Sequence, residues 1–237
     1  MPSPDRPREL AHLTSPEAEG VDLLVVPIGS LEQHGPHLPL DTDAIIASAV
    51  AHGVAERLTG AGTTTWVAPV VALGSSGEHQ HFPGTISTGT EVVRQVVVEI
   101  VRSARTWAPR VLLVNGHGGN NQALSAAVTQ LVDEGHDVDW AACATESVDL
   151  HAGRTETSLL LHLRPESVRL DRAEPGDCRP LAEILPAMMS GGVIAVSPNG
   201  VLGDPTGASA AEGNSVLTAM VDDVVEQALE PTVEPSS

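Results

Sequence analysis

The sequence predicts an α/β fold: a single domain with a mostly parallel β-sheet and helices on both faces. Two observations carry this. Short apolar runs rich in β-branched residues read as buried strands, and segments of helical length with an apolar stripe separate them. Strand, helix, strand, helix at such spacing argues for parallel strands joined by crossovers. The chain has 237 residues, 41% of them apolar, enough to bury the core of one domain.

Residues 1–19 are rich in proline and charge and are expected to be partly ordered at best, leaving 20–237 as the domain. Val21 to Ile28 (VDLLVVPI), bounded by Gly29, reads as the first strand. Asp41-Thr-Asp43 opens a helix through Leu58, closed by Gly60. Thr63 to Leu73 reads as a strand that Pro69 weakens. Thr88-Gly-Thr-Glu91 has the spacing of a capping box before a helix that Pro109 ends. Val111 to Val114 is then a strand, Gly119 to Glu134 a helix and Val138 to Ala144 a strand. Ala208 to Leu229 is a last amphipathic helix, and no internal repeat or linker interrupts the order.

Composition narrows the function. Acids number 31 against 12 bases, a net charge of −19, and every base is Arg. Such a chain cannot present the large basic surface that nucleic acid requires, and an anionic membrane would repel it. The absence of Lys removes Schiff-base and lysine-base chemistry. With no Tyr and one Phe there is no aromatic platform for bases or sugars. Cys143 and Cys178 do not make a disulfide scaffold. No signal peptide or membrane span is expected, so a reduced, cytoplasmic protein is the default.

In parallel sheets, ligands bind outside the carboxyl ends of the strands. The loops placed there hold His34, His37, His79, His81, His117 and His151, together with Glu32, Asp43, Glu78 and Glu156. Carboxylates with imidazoles and no thiolate suit Zn, Mn or Fe(II). Glu32 and His34 alternate, so on an extended segment they point the same way. Asp43 can return to the same centre, or serve only as a helix cap. Two dications bring +4 against −3 from Glu32, Asp43 and Glu156, and the balance of +1 suits a hydroxide nucleophile. Five ligands, Glu32, His34, Asp43, His117 and Glu156, serve two metals if one carboxylate bridges; Asp43 is the candidate. Glu78, His79 and His81 are either further ligands or pocket lining. Arg154 either pairs with an acid or binds substrate. Asn115-Gly-His-Gly-Gly-Asn120 could cradle a phosphate, but its spacing is not that of a dinucleotide loop, and a central His favours a ligand.

Gly29–Asp43, Asn115–Asn120 and His151–Ser158, with Gly77–Thr85, together resemble the creatininase (creatinine amidohydrolase) family over nearly the whole chain from about residue 20. The resemblance implies a metal-dependent hydrolase of amide C–N bonds. It also implies one α/β domain with a four-stranded parallel sheet, assembled into homo-oligomers, hexamers or larger. The family's ligands carry over to Glu32, His34, Asp43 and His117, and its catalytic His to His151. One departure matters: the metal-binding Glu found two residues after the ligand His in creatinine amidohydrolase itself is Gly119 here. A second metal then needs its carboxylate from elsewhere, and Glu156 is the candidate, unless it only caps the helix near Arg154 or pairs with Arg154. That enzyme covers its substrate with Trp, whereas Trp66, Trp107 and Trp140 fall outside the site loops, which argues against creatinine.

His151-Ala-Gly-Arg-Thr-Glu-Thr-Ser followed by Ser197–Gly207 is similar to the peptidase branch of the family found in mycofactocin systems. That branch implies cleavage of a modified precursor peptide, release of a C-terminal Val–Tyr-derived dipeptide, and two divalent ions, Fe(II) or Zn with Mn possible. The 197–207 loop would shape the substrate site. His151 would act as general acid/base rather than ligand, because the departing amine must be protonated and His titrates near neutral pH. The alternatives are a small-molecule amidohydrolase that opens a formamide or lactam, and a metal-stabilised scaffold without turnover.

Overall fold

The computed structural model describes residues 8–144 and 149–229. Five parallel strands form one sheet: β1 (Arg8–Glu9), β2 (Leu23–Ile28), β3 (Thr65–Val67), β4 (Val111–Asn115) and β5 (Val138–Ala142), in the order β1-β3-β2-β4-β5. The family resemblance implies four strands; the fifth is a two-residue edge from the N-terminal segment, where Arg8 lies opposite Trp66. Of the segment expected to be partly ordered, residues 8–19 form this edge and two short 3-10 turns, while 1–7 lie outside the described residues.

The strand residues alternate between two cores, as period-two geometry requires. Leu23 and Val25 face α1 (Thr42–Gly60), α4 (Arg154–Leu163) and α6 (Ala210–Leu229), packing with Val50, Val54, Leu159 and Val221. Leu24, Val26 and Ile28 face α2 (Thr90–Ala104) and α3 (Asn121–Asp133), packing with Val97, Val101, Leu124 and Leu131. Both faces of the sheet are therefore covered, as in other all-parallel sheets.

Three elements differ from the sequence reading. The strand expected over Thr63–Leu73 pairs only at Thr65–Val67, and Val71 returns at one isolated bridge to Ile28. On β2 the backbone groups of Leu23, Val25 and Pro27 face this side; Pro27 has no N–H to give, and its carbonyl takes the Val71 N–H, one residue past the regular register. The capping box does not form. Gly89 is the N-cap of α2 with no side-chain bond, and the Thr88 hydroxyl donates to the Gly74 carbonyl at 3.1 Å instead. α2 stops at Ala104, before Pro109, because Trp107 and Ala108 N–H groups both turn back onto the Ala104 carbonyl. A further helix, α5 (Leu181–Gly191), forms around Pro186 where the sequence gives no helical signal. No helix among the described residues is long and apolar enough to cross a membrane.

Candidate metal centre

The loops after β2, β3 and β4 and the start of α4 converge beyond the carboxyl ends of the strands. The chain can turn out of β2 because residue 29 is glycine: a Cβ there would lie 2.6 Å from the backbone N and Cα of Ala44. The turn delivers Glu32 and His34, both fully buried, and α1 presents Asp43 in its first turn. His79 closes a 3-10 turn, Gly77–His79, and His117 follows β4 directly. His151 lies just before α4, and Glu156 stands in its first turn.

Asp43 sits between two imidazoles. Its Oδ1 is 3.0 Å from His34 Nε2 and its Oδ2 is 3.3 Å from His117 Nδ1, the placement expected of a bridging carboxylate. Glu32 Oε2 is 3.3 Å from His117 Nε2, and its Oε1 is 3.3 Å from His79 Nε2 and 3.7 Å from His151 Nδ1. Glu156 Oε2 lies 3.8 Å from His34 Nε2. Three groupings bring possible ligand atoms together: Glu32, Asp43 and His117; His34, His151 and Glu156; and Glu32, His79 and His151. All five ligands expected from the sequence thus meet at one place, with His151 among them.

The electrostatics follow from burial and from these pairs. Burial lifts the Glu32 carboxyl to about 7, and the Asp43 charge adds to the lift. Burial opposes charge on His34 and His117, yet Asp43 beside the first and Glu32 beside the second outweigh it and raise each to about 10. Burial also opposes the Asp43 charge, but His34 and His117 hold its carboxyl well below the usual range. Burial lowers His79 to about 3 and pushes His151 well below its ordinary value, with the His34 charge adding to the second, so both rings are neutral.

The residues fit divalent metal. Both Glu32 carboxylate oxygens and Asp43 Oδ2 are buried and accept no hydrogen bond, an arrangement that costs free energy unless a cation satisfies them. The donors are oxygens and imidazole nitrogens without thiolate, a set for Zn, Mn or Fe(II). Gly119 leaves no space for a side chain, because a Cβ there would overlap His117 Nε2 and the Ser75 carbonyl. Glu78 Oε1 would lie 2.7 Å from that Cβ and is 3.6 Å from His117 Nε2.

His79 is nearer the centre than its sequence context suggests. Its loop has no periodicity, and only the tertiary turn after β3 aims it at Glu32. Gln33, which nothing in the sequence singles out, is 5% exposed and touches both His79 and His151. His81 joins none of the candidate groupings among the described residues. Arg154 pairs with Glu212 at 2.9 Å, not with Glu156. Cys143 packs against the core, and burial pushes its thiol up to about 12, so it is inert.

A cavity of about 450 Å³ opens onto the cluster. Glu32, Asp43, His117 and His151 line it together with the apolar Leu150, Leu181, Leu185, Met188 and Leu202. α5 supplies three of these apolar residues. Leu202 belongs to the 197–207 loop and is held by backbone bonds to His151.

A family model described as creatinine amidohydrolase matches residues 11–228. A curated relative from Mycobacterium ulcerans, named mycofactocin precursor peptide peptidase, is 55% identical over 208 residues, covering 86% of this chain and 83% of its own. A crystal structure of creatinine amidohydrolase superposes with a TM-score of 0.75 at 29% identity, covering 94% of this chain and 98% of its own. A manganese form of creatininase superposes with a TM-score of 0.76 at 26% identity, covering 95% and 100%.

Proposed function

The chain belongs to the creatinine amidohydrolase family and is a metal-dependent hydrolase of C–N bonds; from that premise we propose that it is a peptidase acting on a modified precursor peptide and releasing a C-terminal Val–Tyr-derived dipeptide. The observation that carries the reading is a cavity of about 450 Å³ whose lining joins Asp43, set between His34 and His117, to the apolar side chains of Leu150, Leu181, Leu185, Met188 and Leu202. That space suits a bulky apolar dipeptide better than a small polar ring. The 55% identity to a relative named for such a precursor peptide supports the same substrate.

Glu32, His34, Asp43, His117 and Glu156 would hold two divalent ions, Fe(II) or Zn with Mn possible. Such a pair, when bound, polarises a carbonyl and lowers the pKa of water. The chain's own residues do the rest. Asp43 holds the two halves of the site at a fixed separation. The apolar residues of α5 and Leu202 exclude solvent from the bond to be cut. His151, neutral and with Nδ1 facing the cluster, is the proton carrier: it takes a proton and returns it to the departing amine. We read the working form as a cytoplasmic homo-oligomer, hexameric or larger.

The test is mass spectrometry of the metal-loaded protein incubated with the modified precursor peptide and, separately, with small lactams and formamides. Loss of the terminal dipeptide from the peptide is the expected result; turnover of the small amides alone would overturn the substrate assignment. His151→Ala should keep its metals and lose roughly 10²–10⁴ in rate. Complete metal loss in that variant would make His151 a ligand instead.

A further inference from the structure

We propose that Gln33 is a positioning residue that fixes which ring nitrogens of His79 and His151 carry protons, placing one on Nε2 of each and so keeping His79 Nε2 from serving as a metal ligand. The argument is a count of donors and acceptors. The amide orientation is set because Oε1 accepts the Gly35 N–H at 2.9 Å. Nε2 then has two hydrogens and three neighbours: the Gly200 carbonyl at 2.9 Å, His79 Nδ1 at 2.8 Å and His151 Nε2 at 2.9 Å. The carbonyl can only accept, so it takes one hydrogen.

His151 Nε2 also lies 2.8 Å from the Gln33 backbone carbonyl, which again only accepts. A proton on Nε2 satisfies that carbonyl, and the ring then has nothing to accept the amide with. The second amide hydrogen therefore goes to His79 Nδ1. This assignment leaves one close contact without a hydrogen bond, His151 Nε2 against the amide at 2.9 Å, whereas giving the second amide hydrogen to His151 leaves two, at His79 Nδ1 and at the Gln33 carbonyl. His79 is neutral with its proton on Nε2, 3.3 Å from Glu32 Oε1. His151 carries a proton on Nε2, and its Nδ1 lies 3.7 Å from the same oxygen. The opposite His79 tautomer would set an N–H against an NH₂ at 2.8 Å with no acceptor between them. His79 is thus barred from ligating through Nε2 despite its distance.

The same amide ties the 197–207 loop to the centre. Gly200 has φ +82°, and a Cβ there would overlap the Gln33 side chain, so the loop reaches Gln33 only through glycine. Leu202, two residues on, lines the cavity.

Nitrogen-15 spectra of the histidine rings in the zinc-loaded protein test the proposal directly. In the unsubstituted chain, His79 should show an unprotonated Nδ1 and a protonated Nε2, and His151 a protonated Nε2. His79 bound to zinc through Nε2 would overturn it, and this reading needs no variant to fold. In Gln33→Glu the carboxylate can only accept, so His79 should move its proton to Nδ1; an unmoved tautomer would overturn the role of the amide.

Discussion

Glu156 Oε2 accepts the Ala152 N–H at 2.6 Å and lies 3.8 Å from His34 Nε2, so one oxygen serves both a backbone and a cluster. Ala152 is held at φ +53°, a left-handed conformation costly for a residue with a Cβ, and the Glu156 bond helps to keep it there. Removing a helix-start acceptor costs on the order of 1 kcal/mol of stability. Removing a ligand empties a metal position. Elemental analysis after gel filtration should therefore find close to two metals per chain in the parent and close to one in Glu156→Ala. Two metals in that variant would make the carboxylate structural and direct attention to Glu78, 3.6 Å from His117. His37 offers a pH test. Its Nε2 lies 2.9 Å from the Thr157 hydroxyl, its Nδ1 is buried without a partner, and burial lowers it to about 4. The folded protein refuses a proton that the unfolded chain accepts below its ordinary value of 6.5. Stability is thus complete above pH 6.5 and falls as pH drops towards 4, by about 3 kcal/mol if the full shift is expressed. His37→Gln keeps a polar contact to Thr157 without titrating. Its melting temperature should fall less steeply than the parent's across that window; parallel curves would exclude His37 as the cause.

α4 shows how one element carries several constraints at once. Glu156 faces the site, Thr157 meets His37, and the Ser158 hydroxyl accepts the Ser209 N–H at 3.1 Å where α6 is about to begin. α6 crosses so closely that a Cβ at Gly213 would overlap the Ser158 carbonyl. The sequence shows this helix through its local pattern, His-Ala-Gly-X-X-Glu-Thr-Ser, but nothing in that pattern reveals which neighbour each side chain meets. β2, β4, α3 and α6 were legible because one apolar period governs each of them. β3 was overread because its apolar run looks continuous while Pro27, facing it from β2, has no N–H to give, and pairing depends on donors. α5 was not legible because Pro186 breaks the local signal, and the helix persists through tertiary packing of Ile184 against the Val193 and Leu202 cluster. At the site, the carboxylates and histidines after strand ends were legible because only chemistry explains polar residues concentrated there. Gln33 was not, because a glutamine in a loop declares nothing until its three partners arrive from residues 79, 151 and 200.

Across the whole molecule, the candidate ligands come from the loops after β2 and β4, from α1 and from α4, so the site gathers chain segments that otherwise meet only through the cores. Without a cation, three carboxylates share a region with orphaned buried oxygens, in a chain whose net charge is already −19. Metal binding should therefore appear as folding stability. A ligand at a hundred times its Kd adds about 2.7 kcal/mol. For a chain of this size each kcal/mol moves Tm by about 2–4 °C, so chelation should lower Tm by roughly 5–10 °C. Raising the salt concentration separates this from general repulsion, because surface charges are screened within a Debye length and buried ones much less. The chelation-induced drop should persist at high salt and be reversed by returning zinc. Metal-stripped protein, verified by elemental analysis, that melts at the same temperature as the loaded form would show that the four segments hold their places without the ions, and that the orphaned oxygens are satisfied some other way.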